Sequence, residues 1–96
     1  LTKRPENISG MLPKGWGHGW NNVWMGTSAE NQRRWDERLP ILLATPAVIH
    51  FVSAEPLLAP IDIGPHRPDW VITGGESGRQ PRPVKVTWVR DIRDQC

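Results

Sequence analysis

Ninety-six residues with a formal net charge of +2 amount to one domain at most, and a chain of this size buries only roughly two thirds of its unfolded surface. Twelve Lys and Arg against ten Asp and Glu, spread along the chain, argue against a surface built to coat nucleic acid, although a pI of about 9.2 leaves room for a local basic patch. One cysteine excludes an internal disulfide and a cysteine-only metal site in a single copy, which fits a reducing cytoplasm, and no apolar run reaches transmembrane length.

Leu1 to Glu6 reads as the polar exit of a strand, and Asn7 to Leu12 as one helical turn before Pro13. Lys14 to Asn22 is a loop built on Gly15, Gly17 and Gly19, with Trp16 and Trp20 set into it. Residues 1–22 are therefore a strand exit and a Gly/Trp loop, and residues 23–96 a series of βα units. Val23 to Gly26 is the first complete strand. Thr27 and Glu30 have capping-box spacing, and Trp35, Leu39, Leu42 and Leu43 fall on one helical face. Pro40 interrupts that pattern, which predicts a kink or two short helices meeting near Leu39.

Thr45-Pro46 closes the helix, and Ala47 to Ser53, rich in β-branched and aromatic residues, is the second strand. Glu55 to Pro60 carries two prolines and reads as a loop. Asp69 to Thr73 is the third strand, ended by Gly74-Gly75. After a spacer with Pro81 and Pro83, Val86, Val89, Ile92 and Cys96 mark a last helix. The order predicts an α/β fold of parallel strands joined by βα units, part of a TIM-like barrel. The start at Leu1 and the end at Cys96, inside a helical pattern, predict that these residues are a fragment of a larger α/β barrel domain.

Each strand ends in similar chemistry: Thr27-Ser28-Ala29-Glu30, Ser53-Ala54-Glu55 and Thr73-Gly74-Gly75-Glu76. Parallel strands share one carboxyl-terminal rim, so Glu30, Glu55 and Glu76 are expected at a common small-molecule site. In Gly74-Gly75-Glu76-Ser77-Gly78 the glycines allow close backbone approach, while Glu76 and Ser77 supply an anion and a hydroxyl. The following Arg79, Arg82 and Lys85 suggest a phosphate cradle. A carboxylate within it repels phosphate, so a cation, amine or ribose hydroxyl is the better ligand.

Plainer readings compete at each position. Thr27 and Glu30 make a helix start without any ligand, Glu55 could be half of a structural ion pair, and Glu76 could face solvent from a tight turn. Lys3 and Arg4 could bind a carboxylate or phosphate, or form a solvated edge. His18, His50 and His66 lack ligand spacing, so no metal site is expected here. Trp24, Trp35, Trp70 and Trp88 fall on predicted core elements, whereas Trp16 and Trp20 suit a stacking lip.

The segments Leu1 to Glu6, Asn22 to Gln32, Phe51 to Leu58, Asp69 to Gly78 and Trp88 to Cys96 together resemble, in order and over nearly the whole chain, the phage-type protein family named after phage products thirty-seven and sixty-eight. The resemblance implies a radical-SAM-like enzyme in a longer parent, where a three-cysteine motif holds a 4Fe–4S cluster that cleaves S-adenosylmethionine. It implies no cofactor held by these residues alone, and an isolated piece that is inactive. They would line the ligand through Glu55, Gly74, Gly75, Glu76 and Ser77, with Lys3, Arg4, Thr27, Ser28, Glu30 and Ser53 around them. The rival is a non-catalytic module of phage origin that binds a nucleotide, nucleic acid or protein through Arg79, Arg82, Lys85, Arg90 and Arg93. Exposed sheet edges predict self-association.

Overall fold

The computed structural model describes residues 1–96 as a three-stranded parallel sheet with helices packed on one face. The strands are β1 (Trp24–Ser28), β2 (Ile49–Ala54) and β3 (Trp70–Thr73), in the order β1-β2-β3. Trp24 pairs with Ile49 and Ser28 with Ser53, and Phe51 pairs with Trp70 and Ala54 with Thr73. All neighbours are parallel, so every strand exit lies at the same end of the sheet. Thr2 adds a single parallel bridge to Thr27 on the outer edge of β1, with Thr2 N–H donating to Gly26 O and Ser28 N–H to Thr2 O.

Helix α1 (Gln32–Ala44) crosses back from β1 to β2 and buries Trp35, Leu39 and Leu42. Its start corrects the capping-box expectation. Asn31, in extended backbone, caps it by accepting from Arg34 N–H at 3.0 Å. Thr27 is still inside β1, and its hydroxyl donates to Thr2 O at 2.7 Å. Parallel pairing of Thr27 to Val52 and of Ser28 to Ser53 carries the strand two residues beyond Gly26. Pro40 lies within one continuous element, so two separate helices do not form. Past its end, the Thr45 hydroxyl bonds back to Ile41 O.

Alternation along the strands places Val52 and Ala54 on the helix-covered face, with Met25 and Val71 packed beside them. There they join Ala29, Trp35, Leu39, Leu42, Leu57, Ile61, Ile63 and Ile92 in one core. Leu57, Ile61 and Ile63 come from the helix-free connection between β2 and β3, which therefore does a crossover helix's packing work. Helix α2 (Val86–Gln95) follows β3 and buries only Ile92, with Trp88 and Val89 half-buried against the core. Val86 is exposed and Cys96 lies beyond the helix, also exposed, which corrects the predicted apolar face at both ends. Its packed stripe is Trp88, Val89 and Ile92.

The tryptophans divide differently from the expectation. Trp35 is core, and its indole N–H donates to Ile63 O at 3.2 Å. Trp16, read as part of a lip, is buried, its N–H donating to Pro46 O at 2.7 Å. Trp24 and Trp70, read as core, are 54% and 56% exposed. Each opens a strand on the face that carries no helix. Residues Asn7 to Leu12 form not one turn but the end of one 3-10 turn (Pro5–Asn7) and a second (Ser9–Met11). No helix is long and apolar enough to cross a membrane.

Candidate functional site

The shared rim is stitched by backbone hydrogen bonds from one strand exit to the next. Ala29 N–H donates to Ser53 O at 3.0 Å, Leu58 N–H to Glu30 O at 3.1 Å, and Leu57 N–H to Gly74 O at 2.9 Å. These bonds hold the three exits in fixed relation and curl the loop after β2 over the end of β3. Pro56, joined to Glu55 by a cis peptide, begins that curl.

Glu55 is thereby laid across Gly74. A Cβ built on Gly74 would come within 2.6 Å of Glu55 Oε2 and 3.1 Å of its Cδ. The absence of a side chain on Gly74 is what lets the carboxylate occupy this place. On the other side, Ser53 Oγ donates to Glu55 Oε1 at 3.4 Å, a long bond that leaves most of the carboxylate's accepting capacity open. Glu55 is exposed and enters none of the molecule's ion pairs. It is therefore not half of a structural pair, nor is it the partly buried group expected from its strand. Ser28 and Ser53 stand in register beside it on the sheet face opposite the helices, both buried.

Glu30 and Glu76 leave the rim's centre. Glu30 turns toward α1, where Arg34 Nε lies 3.9 Å from Oε1 and Arg38 Nη1 lies 3.6 Å from Oε2. Arg38 also donates to Ser28 O at 2.7 Å, tying the exit of β1 to the helix. Glu76 is paired with Arg82, which folds the Gly74 to Gly78 segment back on its own basic tail. Ser77 and Gly75 are exposed, and Gly78 turns the chain with φ +112. The rim therefore presents one unpaired acid, Glu55, between two neutralised ones.

Lys3 and Arg4 line a separate cleft of about 400 Å³ with Glu6, Arg34, Glu37, Arg38 and Ile41, on the outer edge of β1. Within it Arg34 pairs with Glu37, whereas Lys3, Arg4 and Glu6 enter no ion pair. Arg33 and Arg34 each hold Glu37 at 3.0 Å. Hydrogen bonds from Arg33 and then Arg34 keep the Glu37 carboxyl below its ordinary value of 4.5, with both guanidinium charges adding to the effect. Arg34 and Arg38 lie on α1, whereas Glu30 precedes its Asn31 cap, so the pairing depends on how the exit of β1 turns into the helix. No sequence signal marks the approach of Glu55 to Gly74, because it depends on a contact between two strand exits.

No group of three His, Cys, Asp or Glu side chains is placed to hold a metal ion. The family model described as Protein of unknown function (DUF5131) matches residues 1–96, the whole of the chain. No curated protein and no solved structure matches.

Proposed function

We propose that this chain, which belongs to the family described as Protein of unknown function (DUF5131), is a ligand-lining part of a TIM-like barrel whose rim holds the amine or other cationic end of a small molecule at Glu55. The observation that carries this reading is the carboxylate itself: exposed, in no ion pair, at a parallel strand's exit, and seated against a glycine that leaves room for it. An ammonium or guanidinium group bound there gains a charge-assisted hydrogen bond, with Ser53 Oγ and the Gly74–Gly75 backbone beside it. Parallel sheets collect ligands at this end because the strand exits and their loops are free to carry polar groups.

The resemblance to the phage-type family extends the reading to a radical-SAM-like iron–sulfur enzyme, in which S-adenosylmethionine and a 4Fe–4S cluster would supply hydrogen-atom abstraction. Residues 1–96 do not fit the cluster. They offer one thiol, Cys96, exposed beyond the end of α2, and no converging set of ligands. No step of cofactor cleavage is therefore assigned to them, and their part is to bind and orient. The rival nucleic-acid reading draws less support, since Arg82 and Arg93 are spent on Glu76 and Asp94.

The test is an amide NMR titration of the chain with ethylammonium and guanidinium ions. Shifts centred on Ser53, Gly74 and Gly75 are expected, with affinity at least about tenfold weaker in Glu55→Gln, as befits loss of a charge-assisted bond. Glu76→Gln should bind as the parent does. Equal binding by Glu55→Gln, or no shift at the rim, would overturn the proposal.

A further inference from the structure

We propose that the cleft between the segment leaving Thr2 and the first half of α1 is an oxyanion site that takes the phosphoryl group of a small phosphate ester, separate from the amine site at Glu55. Thr2 pairs in parallel with Thr27, so Lys3 and Arg4 leave the sheet at the same end as the exit of β1. There they line, with Arg34 and Arg38 of α1, a cleft of about 400 Å³, a size that holds a small molecule. Ile41 is its one apolar lining residue, which disfavours an apolar occupant. Both walls come from these residues. Further strands of a barrel would continue the sheet beyond Thr2 and beyond β3, and so would not enter between them.

The cleft carries an excess of positive charge. Lys3, Arg4, Arg34 and Arg38 line it against two carboxylates, Glu6 and Glu37. From just outside, Arg33 reaches Glu37, and Glu30 reaches Arg34 and Arg38. With those included, five cations stand against three carboxylates, an excess of two that a phosphate ester's charge offsets at neutral pH. Neither Lys3 nor Arg4 enters an ion pair. Arg33 and Arg34 also lie in the first turn of α1, which carries no acid. Cations at this positive end of a helix are disfavoured, and a bound anion relieves that.

Arg38 is the fixed donor of the site. Its side chain is only 11% exposed, and its Nη1 donates to Ser28 O at 2.7 Å. That is the one hydrogen bond it makes, and no buried side-chain nitrogen of the molecule lacks a partner. The other N–H groups of the guanidinium therefore reach solvent, and the cleft is the space that Arg38 lines. A guanidinium anchored on one side and free on the other is a fork already set for two phosphoryl oxygens. Lys3 and Arg4, both exposed, add adaptable charge to it. Glu6, unpaired in the same cleft, suits the hydroxyl groups of a polyol ester and repels a continuous polyanion such as nucleic acid.

Amide NMR titration of the intact protein with glycerol 3-phosphate, and separately with inorganic phosphate, tests this at ionic strength held constant with sodium chloride. Saturable shifts centred on Lys3, Arg4 and Arg38 are expected, with a Kd on the order of 1 mM for the ester and weaker binding of the free ion. Arg38→Gln should weaken binding at least about tenfold. Arg4→Gln, which removes an exposed cation that pairs with nothing, should weaken it at least about threefold with far-UV circular dichroism unchanged. Glu55→Gln should bind the ester as the parent does, which separates failure of this site from failure of the amine site. Parent-like affinity in Arg4→Gln, equal shifts with sodium chloride alone, preference for inorganic phosphate over the ester, or weakened binding in Glu55→Gln would each overturn the proposal.

Discussion

The two βα units of this chain share a sequence pattern and differ in what holds them. In the first, α1 buries Trp35, Leu39 and Leu42 against Val52 and Ala54 of β2, so it rests on transfer of apolar surface from water. In the second, β3 buries nothing and α2 buries only Ile92. Hydrogen bonds hold it instead. Gln95 donates to Ile61 O and accepts from Ile63 N–H, both at 2.7 Å, and its own carbonyl accepts from Arg67 at 2.7 Å. The candidate site straddles the two, with Glu55 supplied by the first unit and Gly74 by the second. A unit held by few buried contacts opens at lower free energy, so the site can dissolve without loss of the first unit's fold.

The largest expected effect comes from the apolar side of that contrast. Leu39→Ala removes a fully buried side chain and should cost about 3 kcal/mol, lowering the urea midpoint for the whole molecule. If amide exchange rose in α1 alone while β2 stayed protected, the first unit would not be the cooperative centre assumed here.

Gln95→Ala should cost less, about 1–2 kcal/mol, because two backbone groups lose side-chain partners. The more telling readout is where that cost appears. Amide exchange should quicken at Ile61, Ile63 and along α2 while Trp35 and Leu39 remain protected, and the Glu55 titration should weaken in parallel. Uniform loss of protection would erase the distinction between the units.

The elements of both units were legible in the sequence, the contrast between them was not, and what was missed has a common cause. Strand identity, parallel order and the face of α1 follow from local pattern: β-branched runs, and Trp35, Leu39 and Leu42 at helical spacing. Trp24 and Trp70 defeated the same logic, because hydrophobicity says that a residue seeks cover but not which face of a sheet has any. Asn31 took the cap from Thr27 because pairing with Val52 prolonged β1, a long-range contact that overrode a local motif. The rim was foreseen as three acids, yet Glu30 and Glu76 are claimed by arginines. Glu30 reaches Arg34 from outside α1, across the Asn31 cap, and Glu76 with Arg82 depends on a turn at Gly78.

The smallest effect isolates the charged surface of α1. Glu37 has its pKa lowered by Arg33 and Arg34 in the folded chain, so its contribution to stability is present above its unfolded value near 4.5 and is lost as pH falls through the lower, folded value. Melting temperatures of the parent and Glu37→Gln should therefore differ by a small constant amount at neutral pH and converge in acid below that range. Because the pair is exposed, salt at about 1 M, where the screening length is roughly 3 Å, should shrink the difference. Exchange in α2 should stay unchanged throughout, since Glu37 bonds only within the first unit; a response there would mean that the two units are coupled through charge and not only through the core.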